Sequence, residues 1–105
     1  MTMFSVEFAP EAADQLEALE DYIAGQGSPE TTSAYVEAIM AYCETLQSFP
    51  HRGTMRDDIR AGLRITNYKG SAVIAFAVKA ETVYIIGVFY GGQDYESILS
   101  VTLGH

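Results

Sequence analysis

The sequence predicts an α+β fold of order β-α-α-β-β-β, in which a helical hairpin covers one face of a small, mostly antiparallel sheet. Three observations predict it. From Gly62 to Asp94, three apolar, β-branched and aromatic segments are separated only by Lys69-Gly70-Ser71 and by Lys79-Ala80-Glu81-Thr82, connections that leave room only for antiparallel neighbours. Val73 to Val78 and Val83 to Tyr90 are apolar at nearly every position, so these strands are central and need cover on at least one side. The first half of the chain supplies two stretches of helical period to provide it. With 105 residues the chain makes a single domain, 1–105: a hairpin over about 10–48, a meander over about 62–91 and a short tail, 92–105.

The opening stretch alternates. Phe4, Val6 and Phe8 fall on one face and Ser5 and Glu7 on the other, the pattern of a half-buried strand that joins the meander. Pro10 then suits the first position of a helix, where its missing N–H costs nothing, and Glu11 and Asp14 favour the positive end of the helix dipole. Ala13, Leu16, Leu19 or Glu20, and Ile23 form its apolar stripe, and Gly25 and Gly27 stop it. Ser28, Pro29 and Glu30 restart a helix as N-cap, first residue and first-turn acid. Its core seam is Tyr35, Ile39, Tyr42, Leu46 and Phe49, widened by Val36, Met40 and Cys43, and Pro50 ends it near Ser48. A polar, basic loop runs from Pro50 to Gly62. After Tyr90 a Gly91-Gly92-Gln93-Asp94 turn leads to a tail whose form, short helix or strand-like or ordered by a partner, the pattern leaves open. The sheet's second face also carries apolar side chains, so either loop and tail cover it or a partner docks there.

Charge narrows the function. The net charge is −8, with nine acids and no Lys or Arg in residues 1–51, and four of the six bases between Arg52 and Arg64. An acidic half repels a phosphate backbone, so the division suits a protein partner better than direct nucleic-acid binding. No apolar run approaches the ~18 residues of a membrane span, and the N-terminus has no basic region with a long apolar stretch, so a cytoplasmic protein is expected.

The chemistry is sparse. One cysteine, Cys43, sits on an apolar helix face and reads as a core residue, and no metal-ligand spacing occurs, so no metal and no cofactor is expected. His51 reads as a solvated loop residue and His105 as a terminal one. Gly91-Gly92 lacks the surroundings of a phosphate loop and reads as a turn. The arginines are the signal: Arg52, Arg56, Arg60 and Arg64 recur every four residues, though Pro50, Gly53 and Gly62 argue against a helix there. Near Tyr68, Tyr90 and Tyr95 they could grip RNA, or pair with carboxylates of a protein partner. The competing local reading pairs Arg56 and Arg60 with Asp57 and Asp58.

Four stretches then resemble one family in the right order. FSVEFAPEAADQLEALEDYIA resembles the opening strand and helix, FPHRGTMRDDIRAGLRI the passage between the second helix and the sheet, and SAVIAFAVKAETVYIIGVFYGGQD, with FYGGQDYE at its end, the closing strands of the RelE/ParE superfamily of bacterial toxins from type II toxin–antitoxin modules, its ParE-like branch in particular. The likeness spans about residues 4–99. It implies a toxin that poisons DNA gyrase through contacts, without catalysis of its own, and that forms a hetero-oligomer with a cognate, ParD-like antitoxin that neutralises it. The alternative that it implies is a RelE-like, ribosome-dependent mRNA endoribonuclease with Arg60, Arg64 and Tyr95 as active groups. A third is a degenerate toxin that only binds its antitoxin. Arg64 matches a strand arginine of RelE-type members, whereas the position after Gly91-Gly92, often basic in relatives, is Gln93. Target and antitoxin contacts are then expected among Arg52, Arg56, Arg60, Arg64, Tyr68, Tyr90, Gln93 and Tyr95.

Overall fold

A computed structural model of the protein describes residues 4–25, 29–70, 72–90 and 93–103. Strand β1 (Ser5–Phe8) runs straight into helix α1 (Pro10–Ala24), with Ala9 as the joint. The Ala9 N–H donates to the Ile85 carbonyl at 2.9 Å, and the Ala9 carbonyl accepts the first helical bond from Ala13 at 3.1 Å. Helix α2 (Pro29–Glu44) gives way to a 3-10 turn over Thr45–Gln47, and then come β2 (Thr54–Met55), β3 (Leu63–Tyr68), β4 (Ala72–Lys79), β5 (Thr82–Tyr90) and α3 (Tyr95–Leu103). The sheet order is β1-β5-β4-β3-β2, antiparallel except where β1 lies parallel to β5. A parallel pair needs a long crossover, and the hairpin plus the meander provides it.

The α+β architecture is as expected, with two additions. The Pro50–Gly62 loop contributes the fifth strand, β2, paired with Arg64 and Ile65 of β3. Two exposed residues carry no readable alternation, so the pairing was invisible in the sequence. The tail is a helix. The Ser28 cap, the Gly27 stop, the Gly91-Gly92 turn and His105 lie outside the described residues.

The first core lies between the helical hairpin and the sheet. Ala12, Leu16 and Leu19 of α1 and Val36, Ile39, Cys43 and Leu46 meet Ile74, Phe76, Val83, Ile85 and Val88. The α1 stripe therefore uses Ala12 where Ala13 was expected, and Ala13 and Glu20 are exposed. Phe49 and Met40 also depart from the expected seam, being 57% and 39% exposed. The tighter 3-10 turn at Thr45 breaks the 3.6-residue period and turns Phe49 off the stripe.

The second face holds a smaller core of Leu63, Ile65, Ala75, Phe89 and Leu99, with Ile59 and Tyr95 against it. Of the eleven largest fully buried side chains among the described residues, only Phe89 and Leu63 belong to it. Each such side chain stabilises by about 1.5–3 kcal/mol, so the hairpin side carries most of the apolar stabilisation.

A bulge joins the faces. The β4–β5 register runs Ala75 to Gly87 and then Phe76 to Ile85, which leaves Ile86 extra on β5. Ile85 and Val88 thus share the first core while Ile86 and Phe89 turn to the second. Gly87 is required here: a Cβ would lie 2.7 Å from the Phe89 ring and 3.1 Å from Gln15 Oε1. Since β1 ends opposite Ile85, the Val88 N–H farther along β5 donates instead to Gln15 Oε1, at 2.7 Å.

Candidate partner-binding surface

The arginine-bearing loop is held to the sheet edge by its own backbone. Gly53 has φ +84°, and a Cβ there would stand 2.3 Å from the Ile65 carbonyl oxygen, so only glycine allows β2 to close on β3. The Arg56 N–H donates to the Leu63 carbonyl at 2.8 Å, and Asp57 Oδ1 accepts from the Gly62 N–H at 2.8 Å.

This framework gives three of the four arginines separate internal tasks and leaves the fourth exposed. Arg52 donates to Thr45 Oγ1 at 2.9 Å, and its guanidinium lies 5.3 Å from the Tyr42 ring centre and 4.9 Å from that of Phe49, a cation–π arrangement. Arg56 grips both oxygens of Asp58 at 2.8 and 2.9 Å, reaches Glu96 on α3, and donates to the Tyr95 hydroxyl at 3.2 Å. The bidentate Arg56 contact holds the Asp58 carboxyl below the usual carboxylate range, and the two carboxylates raise the Arg56 pKa further. Arg64 donates from Nε to the Arg52 carbonyl at 3.2 Å and from Nη2 to the His51 carbonyl at 2.5 Å, so it braces the loop from inside. Arg60 is exposed, and no hydrogen bond or ion pair engages its side chain among the described residues. The expected local pairing therefore holds for Arg56 with Asp58, whereas Asp57 binds backbone.

Strand alternation separates Arg64 from Tyr95. Leu63 and Ile65 turn to the second core, where Tyr95 packs at 6.1 Å between ring centres from Phe89. Arg64 turns the other way, with Thr66, whose hydroxyl lies 3.0 Å from the Tyr42 hydroxyl on α2. Arg60, Arg64 and Tyr95 thus do not gather at one point. Tyr68 belongs to the hairpin face, its ring 5.3 Å from that of Tyr42 and 6.3 Å from that of Tyr35. Tyr90 stacks obliquely on Tyr22 at 5.3 Å. Gln93 acts as a backbone staple: its Oε1 accepts from the Tyr90 N–H at 3.0 Å, and its carbonyl accepts from the Tyr95 N–H at 3.0 Å.

Helix α3 begins on an Asp94 cap. Asp94 accepts from the Ser97 N–H at 3.2 Å and from the Ser97 hydroxyl at 2.7 Å, and these bonds hold its carboxyl below the ordinary value. Among the described residues, Ile59, Tyr95 and Leu99 cover part of the second sheet face. Beside them Tyr84 and Ile98 are 38% and 39% exposed, and Ser5 and Glu7 of β1 are exposed. A hollow of about 260 Å³ lies there, lined by Ala9, Gln15, Ile86, Phe89, Ile98 and Leu99, with Glu11 and Arg60 also on it. A second, of about 360 Å³, shares Arg60 and Ile86 and continues along Ala77, Lys79 and Tyr84. Sequence reasoning expected apolar side chains on this second face but not which residues line it, because the bulge at Ile86 has no signature in so apolar a strand.

Little else points to chemistry. Burial, with Glu44 adding to it, pushes the Cys43 thiol up to about 12, so it stays protonated and inert at neutral pH. Among the described residues, no group of three His, Cys, Asp or Glu side chains could hold a metal ion. No described helix is long and apolar enough to cross a membrane.

Residues 6–95 match the sequence model of a toxin family described as "ParE toxin of type II toxin-antitoxin system, parDE". The fold is similar to that in the chromosomal ParDE toxin–antitoxin system from P. aeruginosa, with a TM-score of 0.74 and 24% identity over 84% of this chain and 96% of that one. It is also similar to that in the RelBE2 toxin–antitoxin complex from Mycobacterium tuberculosis, with a TM-score of 0.57 and 20% identity over 89% and 97% of the two chains. No curated protein sequence matches the chain.

Proposed function

The chain belongs to the ParE toxin family of type II toxin–antitoxin systems, and from that premise we propose that it stops DNA gyrase by protein–protein contact and is neutralised by a cognate antitoxin. The observation that carries the contact reading is the placement of Arg64 and Tyr95 on opposite sides of the sheet. A nuclease of this fold has to stabilise the charge that builds on one scissile phosphate, which needs several cations aimed at one point. Here Arg64 is spent on the loop's own carbonyls and Arg56 is neutralised by Asp58 and Glu96, which leaves Arg60 as the one arginine of the four whose side chain has no internal partner among the described residues. The net charge of −8 also opposes a ribosomal partner.

A supercoiling assay tests this reading. Purified protein is titrated into gyrase, ATP and relaxed plasmid, and the products are scored for lost supercoiling and for linear DNA. We expect inhibition, reversed by the antitoxin. Intact supercoiling at a dose that arrests growth in cells would eliminate gyrase as the target.

One observation favours mRNA cleavage instead: the Arg56 guanidinium touches the Tyr95 hydroxyl, an arrangement in which a cation attends a phenol. The two carboxylates on the same guanidinium argue against it, since they cancel the charge that a phosphate would meet. Ribosome-dependent cleavage by the wild type, lost in Tyr95→Phe with gyrase unaffected, would favour this second reading.

A further inference from the structure

Past the end of α2, the 3-10 turn delivers Phe49 to the surface, 57% exposed, the highest value of any large apolar side chain among the described residues. A shallow hollow of about 440 Å³ lies beside it, lined by Ser48, Phe49, Pro50, His51 and Arg52. Arg52 is fixed there. The Thr45 hydroxyl accepts one guanidinium N–H and itself donates to the Tyr42 carbonyl, and the Tyr42 and Phe49 rings attend the cation. Arg64 is fixed next to it by the Arg52 and His51 carbonyls. Met55, 45% exposed, lies directly across from Arg64 on the edge strand β2, so the two side chains leave the sheet on the same face.

No carboxylate pairs with either arginine among the described residues. Asp58 and Glu96 are on Arg56, Asp57 binds the Gly62 N–H, and Glu44, exposed at the end of α2, makes no ion pair with Arg52 or Arg64. Arg60 and Lys79 are unpaired as well, but nothing among the described residues holds their side chains in place. Arg52 and Arg64 differ in being charged and already immobilised. A guanidinium in that state loses little further freedom when a carboxylate from outside binds it. An arginine set beside an exposed aromatic ring is also the pairing that dominates the energetics of protein interfaces.

We propose that Phe49, Arg52 and Met55, with Arg64 behind them, form the surface through which the toxin holds its protein target. The surface takes a segment that offers a carboxylate to Arg52 and an apolar side chain to Phe49. The inference rests on the contact-inhibitor reading above and adds the residues that make the contact. Complementary charge selects the occupant: two fixed cations in a chain of net charge −8 attract an acidic segment. A nucleic-acid backbone is the poorer occupant, because the nine acids of residues 1–51 repel its many phosphates together.

The test is the supercoiling assay on the intact chain. Phe49→Ser and Arg52→Glu are each expected to raise the dose for half-inhibition by about tenfold or more. Phe49→Ser changes an exposed ring, so its circular dichroism and urea midpoint should match the wild type, and it decides the matter if Arg52→Glu loosens the loop. Lys69→Glu, the same charge change just past the far end of β3, is the control and should inhibit as the wild type does. A photoreactive benzoylphenylalanine in place of Phe49 should cross-link to a gyrase subunit. Wild-type potency in both patch variants would overturn the proposal and leave the gyrase reading intact. A cross-link to the plasmid alone would assign the patch to nucleic acid and overturn it too. So would variants that inhibit fully but escape the polypeptide encoded by the adjoining reading frame, which would assign the patch to the antitoxin. Absence of inhibition by the wild type would remove the gyrase reading and this proposal with it.

Discussion

Arg56 and Tyr95 meet between the loop and the C-terminal helix, guanidinium nitrogen to phenol oxygen at 3.2 Å. The same guanidinium binds Asp58 within the loop and Glu96 on α3, so a single side chain fastens the helix to the sheet edge. Arg56→Ala should therefore loosen α3 selectively. Amide exchange at Ile98 and Leu99 should accelerate while that of β4 and α1 stays unchanged. Uniform acceleration throughout the chain would show that the contact supports the whole fold instead.

The fastening should depend on pH with a definite sign. Asp58 is held low by Arg56, and Asp94 by its bonds to Ser97. A carboxylate whose pKa is lowered on folding contributes stability that is fully present above its unfolded value, near ~4. That contribution is lost as pH falls through the lower folded value. Exchange at α3, taken relative to the intrinsic rate of an unprotected amide at the same pH, should thus be flat from neutral pH down to about 4 and rise below it, before the hairpin core loosens. Asp94→Asn, which keeps a capping oxygen but does not titrate, should shrink the rise.

Gly87 is predicted to tolerate no side chain. Gly87→Ala drives a methyl into the Phe89 ring and toward Gln15 Oε1, an overpacking that costs about 1–3 kcal/mol in urea unfolding. In a Phe89→Leu background the added cost should fall, because the ring it strikes is gone. An equal cost in both backgrounds would locate the strain elsewhere.

The β4–β5 turn offers a change in the opposite direction. Ala80 has φ +57°, a left-handed conformation that costs an ordinary L-residue roughly 1–2 kcal/mol. Ala80→Gly removes that strain but loosens the unfolded chain, so a net gain of up to about 1 kcal/mol is expected, read as a rise in the urea midpoint.

The residues show which features the sequence made legible. The turns at Lys69-Gly70 and Lys79–Thr82 were readable because short connections constrain topology, and Pro10 and Pro29 because proline belongs at a helix start. The phase of α1 lies one residue from the periodic pattern, at Ala12 and not Ala13, since small alanines at a stripe's edge weigh little in such a pattern. The site was harder. Spacing places four arginines in one loop and the strand that follows it, but which of them finds a carbonyl or carboxylate depends on β2, two residues long, and on a capped α3 that brings Glu96 to Arg56. The bulge at Ile86 reverses which face the rest of β5 serves, and a uniformly apolar strand cannot announce that.

The parallel pairing of β1 with β5 has a consequence for the chain's birth. Ser5 finds its partner in Thr82, 77 residues later. At about 5–20 residues per second, a ribosome needs several seconds between making the two. Throughout that interval the first strand waits without its neighbour, and the first core lacks Val83, Ile85 and Val88. The sheet closes only after β5 has left the exit tunnel, so no shorter nascent fragment holds the finished surface.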